Sequence, residues 1–174
     1  MILTSIETIT PSGAATVVFD DNIDSTYHEY LCVLYNFGPN SENELRCHLY
    51  AGDWTPTVTQ NAFESRHSED DTSVAALTYS TSLDAAQNAM PRNFTRNQGK
   101  DGDRSVSGFL HLYNPSSTTF VKHYIWTALF EDTSAAANRT VIAGYVNDSD
   151  AVTGIKFDIS SGTITGTAEL FGIA

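Results

Sequence analysis

The sequence predicts an all-β fold, a single antiparallel β-sandwich of jelly-roll type covering residues 1–174. Three observations predict it. Apolar and polar residues alternate with period two in segment after segment, as in strands with one buried face. Clusters of Gly, Pro, Asn, Asp and Ser punctuate the chain at short intervals and read as turns. The composition is 41% hydrophobic but only 17% charged, so Ser, Thr and Asn fill the solvent faces instead of helix-lacing ion pairs. A chain of 174 residues is long enough for one domain to bury about 70% of its unfolded surface.

Taken in order, residues 2–9 (ILTSIETI) form a first strand ended by Pro11-Ser12-Gly13, and residues 14–19 (AATVVF) a second. After a polar loop, Tyr27 to Phe37 places Tyr27, Glu29, Leu31, Val33, Tyr35 and Phe37 on one face and Tyr30, Cys32 and Leu34 on the other. Both faces are largely apolar, which assigns this strand to the centre of a sheet. Gly38-Pro39-Asn40-Ser41 is a turn, and Glu44 to Tyr50 follows as its partner with Leu45, Cys47 and Leu49 inward. Gly52 to Asp71 carries no clear period. Val74 to Tyr79 is a strand, and Leu83 to Met90 suits two helical turns before Pro91, the one short helix expected. Pro91 to Ser105, holding Arg92, Arg96, Lys100 and Arg104, reads as a long surface loop.

Alternation returns in SVSGFLHLYN, then in Thr119 to Phe130, the most aromatic strand, and in Arg139 to Val146. The last stretch, VTGIKFDISSGTITGTAELFGIA, reads as a hairpin turning at Ser160-Ser161-Gly162 and finishing inside a sheet. Together these segments give about nine or ten strands.

The net charge of −12 repels nucleic-acid phosphates and anionic lipid, so neither is an expected partner. The start, Met1-Ile2-Leu3-Thr4, has no secretory signal pattern, and no stretch reaches the ~20 apolar residues of a membrane helix. Cytoplasmic synthesis without membrane insertion is the expectation. Cys32 and Cys47 lie in strand patterns without a CxxC or Cys/His cluster, leaving two readings open: free buried thiols, or a disulfide between neighbouring strands.

Motifs that carry chemistry are scarce. His111 and His123 fall in adjacent strands, but no HxH with a nearby Glu accompanies them, so no metal site is expected. The clusters Asp20-Asp21-Asn22 with Asp24, Asp101-Gly102-Asp103, and Asp148 with Asp150 resemble pieces of calcium loops but lack a full ligand spacing, and turn formation accounts for them. No GxSxG occurs, and neither Cys has an activating neighbour. The expectation is a protein that is not an enzyme and needs no cofactor. For such a sandwich the loops carry specificity. The candidate surface contacts are Trp54 and the segment Arg92, Phe94 and Arg96, where an aromatic between two cations suits a sugar or a carboxylate. Local packing is the competing role for each.

Three stretches in succession, IDSTYHEYLCVLYNFGP, SGFLHLYNPSSTTFVKHYIW and VTGIKFDISSGTITGTAELFGIA, resemble a group of virion structural proteins of tailed bacteriophages, especially those infecting aquatic bacteria such as cyanobacteria. The closing box of that group commonly reads Leu-Tyr-Gly-Ile, so Phe171 is a mild departure. The resemblance implies a non-enzymatic virion component, tail- or fibre-associated and serving host attachment. The alternative it allows is a capsid decoration or cement protein that binds and stabilises the head lattice. It also implies other virion proteins as partners, a homo-oligomer with a trimer favoured, and a host surface glycan as ligand.

Overall fold

The computed structural model describes residues 2–99 and 102–174. Fourteen strands run through them: β1 (Leu3–Ile9), β2 (Ser12–Ala14), β3 (Thr16–Phe19), β4 (Glu29–Pro39), β5 (Leu45–Ala51), β6 (Thr57–Ser68), β7 (Ala75–Tyr79), β8 (Ala85–Ala89), β9 (Arg92–Asn93), β10 (Val106–Tyr113), β11 (Lys122–Glu131), β12 (Ala136–Val146), β13 (Val152–Ile159) and β14 (Ile164–Ile173). Lys100 of the expected loop and Asp101 of one acidic cluster lie outside the described residues.

The strands form an antiparallel sandwich. One sheet has ten strands, ordered β1-β14-β4-β10-β11-β12-β6-β7, with β2 on β14 and β8 on β6. The other has four, ordered β3-β13-β5-β9. Early strands pair with late ones: β1 and β2 with β14, β3 with β13, β4 with β10, β5 with β9. That winding is the double Greek key of a jelly roll. The large sheet then continues beyond β10 through β11, β12, β6 and β7, twice as far as the small sheet reaches.

Between the sheets lie Phe19, Tyr30, Phe37, Leu49, Trp126 and Phe157, all at most 1% exposed. Over the extension, the segment after β8 does the small sheet's work. Phe94 stacks on Tyr124 at 6.2 Å and tilts against Trp126 at 5.1 Å. Its carbonyl accepts the Trp126 indole N–H at 3.0 Å. Thr95 and Gln98 are fully buried beside it.

Several expectations change here. The strand count rises to fourteen. The expected helix at Leu83–Met90 is instead β8, an edge strand hydrogen-bonded to β6. The unreadable Gly52–Asp71 region holds β6, whose inner face carries Gln60, Glu64 and Ser68 and so hides its period. Within the expected surface loop Pro91–Ser105, residues 91–99 form a cover that buries Phe94, Thr95 and Gln98, while Gly102 and Asp103 are exposed. Finally, β13 and β14 are not paired with each other: the turn at Ser160–Gly162 carries the chain from the small sheet to the large one. The same crossing separates β5 from β4, although Leu45, Cys47 and Leu49 do face inward. In β4, Asn36 takes a left-handed φ of 48°, and the resulting bulge swings Phe37 from the expected outer face into the core.

Candidate binding site

Among the described residues nothing covers the outer face of the large sheet, and its side chains form rows set by register. One row crosses β6, β12 and β11 as Thr59, Tyr145 and His123, with Tyr113 of β10 next to it. The row above runs Asn61, Ala143, Ile125 and His111. At the sheet edge, Tyr79 and the turn residue Asp84 rise as a wall, tied by a 3.1 Å hydrogen bond from the Tyr79 hydroxyl to the Asp84 carboxylate.

These groups enclose a pocket of about 580 Å³, within the ~300–1,000 Å³ typical of small-ligand sites. Tyr79 forms one side; Tyr113, His123 and Tyr145 form the other; Ala143, Gly144 and Asn61 make a low floor. Gly144 is required by what lies beneath it. A Cβ there would sit 2.6 Å from the Tyr124 hydroxyl and 2.8 Å from Gln60 Cβ. With no side chain in the way, the Tyr124 hydroxyl donates to Gln60 Oε1 at 2.7 Å, and this buried bond fixes the floor.

The electrostatics are mild. Burial, and then the neighbouring Glu29, push the Tyr113 phenol up; burial, and then Asp84, do the same at Tyr79. Both present neutral hydroxyls at pH 7. The arrangement offers ring faces for apolar contact and a few hydroxyl, amide and carboxylate groups for orientation.

Trp54 lies elsewhere, half-buried over the outer face of the small sheet. It meets Tyr50 edge-on at 5.2 Å and His48 at 6.5 Å, and Lys156 Nζ sits 4.6 Å from its ring centroid. With Asp20 and Thr153 it lines a shallow cleft of about 200 Å³. Beneath it, Asp158 accepts Arg46 Nε at 2.7 Å and bonds His48 Nε2 at 2.9 Å. Burial, outweighing Asp158, lowers the His48 pKa.

The other three candidates do not form a surface site. Phe94 is a core residue at 0% exposure; the apolar inner face of β11 needs a cover, and Phe94 supplies it. Arg92 donates to the Asp84 carbonyl at 2.8 Å, bracing the turn that walls the pocket. Arg96 pairs with buried Glu64 at 3.4 Å. His111 and His123 do not face each other across the ladder: His111 stands opposite Ile125 and bonds Glu29, while His123 stands opposite Tyr145. Among the described residues no three His, Cys, Asp or Glu converge on a metal position. Cys32 and Cys47 are free and buried.

Sequence reasoning missed the pocket's tyrosines. Their signal was present: Tyr113 and Tyr145 stand at strand positions whose neighbours alternate into the core, so large rings there must point to solvent. Fold and site thus define a jelly-roll sandwich with an open aromatic pocket on its extended sheet. Comparison with protein-family models, curated proteins and solved structures finds no match to the chain.

Proposed function

We propose that this chain is a non-enzymatic component of a tailed-phage virion that serves host attachment by binding a neutral saccharide of the host surface. The observation that carries the attachment reading is the pocket between Tyr79 and the Tyr113, His123 and Tyr145 wall. A pyranose ring has an apolar C–H face and a rim of hydroxyls. Tyrosine rings match the first, and Asn61, Thr59 and Asp84 match the second. Asp84 and the net charge of −12 work against sialylated, sulfated or phosphorylated ligands, so the ligand is neutral.

The virion part of the reading rests on the three sequence stretches and agrees with the all-β architecture. In the particle the chain works as a homo-oligomer beside other virion proteins at the tail or its fibres, after synthesis in the host cytoplasm. Immunogold electron microscopy of intact particles with antibody to this chain tests it. Label at the tail or fibres is expected. Label over the head would make the chain a decoration protein instead, and particles without label would overturn the virion reading.

A further inference from the structure

We propose that the apolar row across the outer face of the large sheet is a contact between two copies of this chain. The row runs in register through six strands as Tyr79, Phe63, Val141, Thr127, Phe109 and Val33. No residue in it is charged at neutral pH. Leu129, 58% exposed, and Tyr35, 45% exposed, stand in the row above. Between them and Phe109 opens a cleft of about 250 Å³ floored by Val33, Gly108 and Thr127.

The area suits a second copy. Leu77, Leu129, Tyr79, Phe63, Tyr35 and Phe109 are each between 37% and 77% exposed, which at ~200 Å² per whole residue amounts to on the order of 600 Å². The half-exposed Val33, Thr127 and Val141 and the exposed Ile125 bring the face close to the ~800 Å² per partner of a standard interface. A lone protein seldom leaves more than about 300–600 Å² of continuous apolar surface open.

The charge pattern selects the occupant. Two copies that each carry −12 repel wherever carboxylates meet, so copies can associate only through a face free of them. No carboxylate stands within the row; Asp84 on the Tyr79 hydroxyl and Glu169 beside Val33 lie at its two ends, with Arg139 beside Leu129. A basic partner drawn by the chain's net charge would seat on carboxylates, which the row lacks. The contact shares Tyr79 and Ile125 with the saccharide pocket, whose far wall of Tyr113, His123 and Tyr145 stands two rows away, about 13 Å along the strands, and stays outside it.

Sedimentation velocity of the full chain from about 1 to 100 μM, a range that populates any self-association of micromolar or tighter Kd, tests this. The wild-type chain is expected to sediment as an oligomer. Phe109→Glu and Leu129→Glu, made singly, are expected to weaken association at least tenfold with unchanged circular dichroism and melting temperature, since both side chains are exposed. Thr16→Glu, which adds the same charge on the exposed face of the other sheet, should leave assembly intact. A wild-type monomer throughout the range overturns the proposal in favour of a foreign partner. So does an oligomer that both variants leave intact, or one that Thr16→Glu dissociates equally. None of these outcomes depends on saccharide binding.

Discussion

Replacing Phe94 by alanine separates a packing residue from a surface contact. The ring is 0% exposed, rests against Tyr124 and Trp126, and holds the covering segment on the inner face of β11. Truncating a buried Phe to Ala costs about 3–5 kcal/mol, from lost transfer energy and the cavity left behind. The cover is tied down at its start, where the Phe94 N–H donates to the Leu45 carbonyl at 2.7 Å, so it cannot collapse fully into the gap, and the upper half of that range is expected. For a domain of this size each kcal/mol shifts the melting temperature by roughly 2–4 °C, giving a fall of about 8–20 °C. Urea denaturation followed by tryptophan fluorescence is the assay, because Trp126 loses its neighbour and reports the transition. An exposed contact residue would cost within about 0.5 kcal/mol. A loss below about 1 kcal/mol would refute the covering role.

Three further outcomes are expected. Asp132→Ala, by stranding Arg66, should destabilise by about 3 kcal/mol or more in the same denaturation assay; Asp132 is 2% exposed, and although burial pushes its carboxyl up, Arg66, the Ser134 N–H and Asn138 together hold it below its ordinary range. His48 has a folded pKa below 6.5, so the unfolded chain takes up the proton first as pH falls, and stability should decline from about pH 6.5 downward. Comparing unfolding free energies at pH 7.5 and 5.5 checks this, and His48→Gln should flatten the slope. Burial pushes the thiols of Cys32 and Cys47 well up; both should resist a thiol reagent in the folded protein and react fully in denaturant.

The legible parts of the fold are those whose strands bury one apolar face. In β10 and β13 the alternation separates the two faces as the structure has them, with Leu110 and Phe157 inward, because no charged side chain stands on those inner faces. In β6 it failed: buried Glu64 and half-buried Arg66 are satisfied by Arg96 and Asp132, partners far away in sequence. Sheet membership was hidden for a related reason. Strands β13 and β14 carry the pattern of a hairpin, and only their choice of β5 and β4 as neighbours, a tertiary matter, sends them to different sheets. Of the site, Trp54 was visible as an isolated ring in a loop. The pocket was not, since Tyr79, Tyr113, His123 and Tyr145 come from four strands and meet only through the order β10-β11-β12-β6-β7. Phe94 misled because its flanking arginines look like a surface cluster, while each is engaged by an internal acceptor.

The most direct test of the attachment account is binding of the purified native protein to neutral saccharides of the host envelope, with Tyr145→Ala as the comparison. The account predicts measurable binding by the wild-type chain. It also predicts at least a tenfold loss, about 1.4 kcal/mol, in the variant, whose half-exposed ring leaves the core and the fold untouched. Binding of equal strength in both proteins, or no binding by a correctly folded wild-type chain, would contradict it.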